Sequence, residues 1–271
     1  MNHLSLFSGI GGLDLAAEWA GFKTVGFVEF NPFCQAVLRK HWPNVPIISD
    51  IREVTKKRLA TDGIKDIKIL SGGFPCQPFS HAGKRTGKVD NRYLWPEMLR
   101  VIREVKPTYV VGENVYGLVT NMGGTTLEVI YTDLDSAGYE VVPPIVFPAA
   151  SVGALHRRDR VWICAHARHD NRSPEQELQQ TERPEVVNRS SGNAIPKLET
   201  YPSWSGGKVQ SPCPVTEVSK DKEVERNFRG VAHGISRRVD RFRALGNAVV
   251  PQQAFQVFLM IAQLDEMLER R

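Results

Sequence analysis

The stretch Gly72-Gly73-Phe74-Pro75-Cys76-Gln77-Pro78-Phe79-Ser80 sets one thiol between two prolines and behind a pair of glycines. Proline stiffens the chain and glycine lets a backbone approach a ligand closely, so Cys76 reads as a candidate nucleophile rather than a packing residue. A thiol reacts as its thiolate, which needs exposure and positive surroundings, and Lys84, Arg85, Arg158 and Arg160 are the cations available to supply them. In Glu113-Asn114-Val115, a carboxyl partly removed from water and held protonated could hydrogen-bond a ring nitrogen and activate a flat heterocycle. His156-Arg157-Arg158-Asp159-Arg160 would on charge alone be a solvated basic turn, but Arg160 leads into the apolar run Val161 to Cys164, which fixes at least that side chain.

A second set of residues suits a nucleotide-like cofactor. Phe7-Ser8-Gly9-Ile10-Gly11-Gly12 follows an apolar run and precedes Leu13, Ala16, Ala17 and Ala20 at helical spacing, giving strand, glycine turn and helix. The glycine spacing departs from the dinucleotide pattern, which disfavours pyrophosphate. Glu29 ends the next apolar run, where a carboxylate can accept hydrogen bonds from two ribose hydroxyls. Asp50-Ile51 follows Val45 to Ile48, placed to meet an adenine amino group and ring, although strand-end aspartates are more often helix caps.

These residues need a scaffold that brings them to one edge. His3–Phe7, Thr24–Val28, Ile67–Leu70 and Thr108–Val111 read as buried parallel strands with crossover helices, an α/β doubly wound pattern with helices on both faces. Glu140–Val142, Ile145–Phe147 and Arg160–Cys164 read as strands without helices between them, an antiparallel edge. From about Arg168 to Ser236 the texture turns polar and Pro-rich, and Gln252 to Leu268 then carries Phe255, Phe258, Leu259, Ala262 and Met267 on one helical face, with Arg243 to Val249 opening that helix. The division expected is 1–167, 168–236 and 237–271. The 271 residues hold four cysteines without paired ligand spacing, so neither a zinc site nor a disulfide framework is expected. A net charge of +5 suits nucleic acid only if it clusters. No apolar stretch is read as long enough to span a bilayer, and no leader is seen, so the expectation is a cytoplasmic protein.

In order, the Phe-x-Gly-x-Gly turn, Pro75-Cys76-Gln77, Glu113-Asn114-Val115, Arg158-x-Arg160, a variable region and Gly246-Asn247-Ala248-Val249 resemble the motifs of the DNA cytosine-5 methyltransferases, over nearly everything outside 168–236. The resemblance implies a Rossmann-like sheet that binds S-adenosylmethionine, with 168–236 as target recognition domain. Its cofactor contacts would be Phe7, Gly9, Ile10, Gly12, Glu29, Phe30, Asp50, Ile51, Gly73, Pro75, Leu94, Asn247 and Val249. Cys76 would add to C6 of a flipped cytosine, with Glu113, Arg158 and Arg160 holding the base and Ser80, Lys84 and Arg85 facing DNA. It further implies a monomer acting on double-stranded DNA in the cytoplasm of a bacterium or phage-infected host, with a cognate restriction endonuclease as a further partner. The family commonly has glutamine where this chain has His156, and the variable region is short. Three rivals are weaker: a tRNA methyltransferase lacks its Cys-Phe-Thr element here, a silent DNA-binding module would not need Cys76 and Glu113, and a dehydrogenase would need a different glycine spacing.

Overall fold

The computed structural model describes residues 1–75, 93–120, 124–168 and 238–269. These belong to one compact unit, Met1–Arg168 with Ala232–Arg271. The expected target recognition domain at 168–236 lies outside the described residues apart from Arg168.

Five parallel strands carry the expected α/β pattern: β1 (Asn2–Leu6), β2 (Lys23–Val28), β3 (Ile47–Ile48), β4 (Ile67–Gly73) and β5 (Tyr109–Val115). Three further strands, β6 (Tyr139–Val141), β7 (Ile145–Phe147) and β8 (Arg160–Ala167), make the antiparallel edge. The sheet runs β3-β2-β1-β4-β5-β8-β6, and β7 also pairs with β8. Both β4 and β5 extend beyond the apolar runs that announce them. Gly72 and Gly73 have little strand preference, but pairing of Gly72 with Leu6 and of Gly73 with Glu113 keeps them in the ladder.

Alternation along the strands builds two cores. After α2 (Pro32–His41) and the short α3 (Lys56–Thr61), and on either side of the single turn α5 (Gly117–Thr120), α4 (Trp95–Val105) and α6 (Thr125–Ser136) face Leu4, Leu6, Leu70, Val110 and Ile163, and their Met98, Ile102, Ile130 and Leu134 are fully buried. Ile69, Tyr109, Val111 and Trp162 face the other way, against α1 (Gly12–Trp19) and the terminal helix α8 (Pro251–Glu269). Ala16 and Ala17 keep α1 slim, so that Ala254, Val257, Phe258 and Ile261 of α8 pack in the same core. Asp265 ties α8 to the sheet by accepting from Lys68 Nζ at 2.6 Å and Tyr109 Oη at 3.0 Å. By length and composition alone Val239–Leu268 would suffice to cross a membrane, contrary to the expectation that no stretch is long enough. Its apolar residues include those that fill the α1 face of the core.

That stretch is also two helices where one was expected. Arg238–Asn247 forms α7, and Pro251 starts α8. Proline tolerates a first helical position but not an interior one, and it pushes the residue before it out of helical geometry, so 248–250 become a linker. The Gly246-Asn247-Ala248-Val249 motif therefore straddles a helix end.

Beneath α1 lies a fully buried polar network. His3 shares hydrogen bonds with Thr24 Oγ1 (2.9 Å) and Ser71 Oγ (2.7 Å), and Asp14 accepts from Ser5 Oγ (3.1 Å) and Thr24 Oγ1 (3.4 Å). Burial raises the Asp14 carboxyl from 3.8 to about 7 and lowers the His3 imidazole from 6.5 to about 3. The raised carboxyl makes stability fall as pH climbs from 3.8 to about 7, whereas the neutral histidine makes it rise up to 6.5, so the two slopes oppose each other over most of that window. Asp14→Asn removes only the falling slope. Relative to the parent protein, this variant is expected to gain on the order of 2 kcal/mol between pH 5 and 7 in urea denaturation. Parallel pH profiles would contradict the assignment.

Candidate active site

The chain leaves β1 toward β2 and β3 on one side and returns through β4 and β5 on the other. Such a switch opens a crevice beyond the carboxyl ends of the two central strands. Here a cavity is walled by Phe7, Gly9, Ile10 and Gly12 after β1, Glu29 after β2, Gly73 on β4, Glu113 on β5, and Asn247 and Val249 of the closing motif. Phe7 turns the chain with φ of 53°, unusual for a residue with a side chain, and Ser8 steadies the turn by donating to Ser5 O at 3.1 Å. Glu29 braces it from outside, its two oxygens accepting from Gly9 N and Asn31 N, each at 2.7 Å. Burial raises the Glu29 carboxyl, and these backbone donors oppose the rise. Gly12 is required by contact: a Cβ there would lie 2.9 Å from Val249 O.

Glu113 is 8% exposed, and Arg160 Nε approaches its Oε1 at 2.6 Å. Burial raises this carboxyl and the charges of Arg160 and Arg158 pull it down, with the net direction upward. Its other oxygen faces Gly73, where a Cβ would come within 3.1 Å. Asn114, next along the strand, donates from Nδ2 to Phe74 O at 2.9 Å and so pins the chain two residues before Cys76. Phe74 in turn packs on Trp95, ring centres 5.2 Å apart, and Trp95 Nε1 donates to Asp133 Oδ2. The segment entering Cys76 is thus anchored at Phe74, while Cys76, Ser80, Lys84 and Arg85 themselves lie outside the described residues.

Of the expected cofactor residues, Phe30, Asp50, Ile51, Pro75 and Leu94 are not in the cavity wall. Phe30 is exposed. Asp50 behaves as the cap that its position suggested, accepting from Arg52 N at 2.9 Å and pairing with the Arg52 guanidinium at 2.7 Å. Ile51 is buried in the core, and Arg100 holds its carbonyl at 2.7 Å. Leu94 precedes the first turn of α4, its N–H reaching Pro75 O at 3.4 Å. Arg158 is the least anticipated: its Nη2 donates to Gly246 O at 2.8 Å and Ala248 O at 2.6 Å.

The wall also contains Ser8, Leu13, Asn31, Cys34, Arg243, Ala244 and Ala248, none of which was assigned a role from sequence. Asn31 carried a legible signal, since Asn-Pro opens a helix, and it caps α2 (Pro32–His41) by accepting from Phe33 N at 2.8 Å. Burial, Glu29 and Asp240 push the Cys34 thiol up to about 11, which leaves it unreactive near neutral pH.

The family described as C-5 cytosine-specific DNA methylase matches this chain over residues 1–231. The Type II methyltransferase M.PspPI of Psychrobacter is 43% identical over 162 residues, 59% of this chain and 38% of that protein. The Type II methyltransferase M.AquIA of Picosynechococcus is 41% identical over 172 residues, 59% of this chain and 69% of that protein. Among solved structures, a DNA modification methyltransferase encoded within an Escherichia coli prophage superposes with a TM-score of 0.53 at 25% identity, over 62% of this chain and 47% of that one. The chain spans well under half the length of the first of these relatives.

Removing Arg160 alone leaves a buried carboxyl without its cation. Arg160→Met is expected to lower stability at pH 7 by roughly 3 kcal/mol, with the loss shrinking in acid because Glu113 can then bury itself protonated. Chemical denaturation at pH 5 and pH 7 measures this, and a loss that grows in acid would refute it.

Proposed function

This chain belongs to the C-5 cytosine-specific DNA methylase family, and we propose that it transfers a methyl group from S-adenosylmethionine to carbon 5 of a flipped-out cytosine in a specific double-stranded DNA sequence. The observation that carries this reading is the buried Glu113, held by Arg160 at a cavity wall on the same sheet edge as the strand leading to Cys76.

The cavity suits this cofactor better than a pyrophosphate. Glu29 and Glu113 bring two carboxyl groups to the wall, the second offset by Arg160, and the one guanidinium that lines it among the described residues is Arg243, so clustered phosphates are not favoured and a cationic centre near Glu29 is tolerated. Gly9 N, which a phosphate would seek, already donates to Glu29. A carboxylate has roughly four acceptor sites, so Glu29 can keep both backbone donors and still accept from ribose hydroxyls. Phe7, Ile10 and Val249 supply apolar contact. The adenine would extend toward Asp50 and Ile51 at the next strand end, with Phe30, Pro75 and Leu94 bordering it.

Cytosine C5 is a poor nucleophile until something adds across the ring. The Cys76 thiolate forms a bond to C6, and the ring electron pair moves toward C5. Glu113 with its raised affinity for a proton donates a hydrogen bond at N3 and stabilises that redistribution, while Arg160 fixes the Glu113 carboxyl. S-adenosylmethionine, when bound, supplies the electrophilic methyl group that C5 takes. Loss of the C5 proton to a base and departure of Cys76 as thiolate restore the ring. A stacked base cannot be reached in this way, so the target leaves the duplex, with Ser80, Lys84 and Arg85 facing the DNA and 168–236 choosing the sequence. A monomer, a cognate restriction endonuclease and a cytoplasmic setting in a bacterium or phage-infected cell belong to the same proposal.

Cys76→Ala is expected to abolish methyl transfer while leaving calorimetric S-adenosylmethionine affinity nearly unchanged. Conversion sequencing of treated DNA reads the first and also identifies the target sequence; substantial residual C5 methylation would sink the mechanism. Glu29→Ala is expected to do the reverse, weakening cofactor binding by at least about tenfold, the worth of one charge-assisted hydrogen bond. Unchanged affinity would remove Glu29 from the ribose.

A further inference from the structure

Arg158 and Arg160 differ by two residues in sequence and by function in space. Arg160 pairs with Glu113, whereas Arg158 makes no ion pair among the described residues and instead sends Nη2 to two backbone carbonyls, Gly246 O and Ala248 O. Gly246 lies in the last turn of α7, whose final carbonyls lack partners within the helix and carry its negative dipole end. A guanidinium there satisfies the first need and the second together. Within the linker Val249 O sits where Gly12 leaves room, and just beyond it, in the first turn of α8, Gln253 Nε2 donates to Phe147 O at 2.9 Å and to Arg158 O at 3.4 Å. Arg158 takes up this position with φ of 41°, a conformation that costs a side-chain-bearing residue energy and is kept where surroundings over-determine it. Its Nε is buried without a partner among the described residues, so the contacts to the linker are its main compensation.

We propose that Arg158 is a positioning residue, the latch that holds the α7–α8 linker as the closing wall of the cofactor cavity, and that it does not contact the target base. Asn247 and Val249 owe their place in the cavity wall to it. The latch itself follows from the contacts above; only its effect on S-adenosylmethionine rests on the function proposed here.

Arg158→Met removes the donors and keeps most of the bulk, and Arg158→Lys restores a cation that can reach carbonyls. Hydrogen–deuterium exchange of the protein without cofactor is expected to show amides of 245–250 exchanging at least about tenfold faster in Arg158→Met, with β5 and β8 still protected and Arg158→Lys intermediate. Calorimetry is expected to show S-adenosylmethionine affinity about tenfold weaker in Arg158→Met, with kcat at saturating cofactor within about threefold of the parent. Unchanged exchange at 245–250 would overturn the latch. Unchanged affinity with a collapse in kcat would overturn it too, returning Arg158 to the base. Failure of the parent protein to bind S-adenosylmethionine would count against the proposed function, and the exchange comparison would still decide the latch.

Discussion

The antiparallel register of β5 and β8 is the constraint from which the site follows. It sets Val115 opposite Arg160 and Glu113 opposite Trp162, so the guanidinium comes from one diagonal step along the partner strand. Without that cation a carboxyl so deeply buried would cost several kcal/mol or stay uncharged at all working pH. With it, burial raises the carboxyl's affinity for a proton while the cation draws it back, the balance on which the proposed contact to a ring nitrogen rests. The parallel pairing of β4 then brings Gly73 alongside, where a Cβ would press on that carboxyl at 3.1 Å and push it from its place.

A second consequence concerns stiffness. The buried groups His3, Thr24, Ser5, Asp14 and Ser71 join three strands to the first turns of α1. They make the helix that begins at Gly12 a fixed reference rather than an adjustable one. Glu29 does the same for the turn before it, and Asn114 for the chain entering Cys76. Both braces use a side chain to hold backbone, so the turns that carry the cavity-lining residues keep a preset direction.

Much of this was legible in the residues. Buried apolar runs and the glycine turn identify the strands and the switch point, because both depend on local composition. The antiparallel edge follows from apolar runs too close together to contain a crossover helix. What escaped was non-local. Nothing in His156 to Arg160 says that Arg158 will meet carbonyls nearly ninety residues later, and a glycine such as Gly73 looks like a strand terminator until its partner strand is known. Pro251 should have divided the terminal helix in advance, since the restriction it imposes is local. Asp50 offers both a cap and a ligand contact on sequence alone; the structure shows the cap, and the adenine contact stays part of the proposal.

The closing wall has a temporal side. Phe7 to Gly12, Glu29, Gly73 and Glu113 are all made before the segment 169–237, whereas Asn247 and Val249 come after it, and α8 is moored through Asp265 to Lys68 across 197 residues. Closing so long a loop is slow and its reward arrives late. The strand-end residues of the wall are synthesised well before the residues that close it. A polypeptide that stops short of Arg238 carries the strand-end residues of the wall but not Asn247 and Val249, so the enclosure comes wholly from the far side of 169–237.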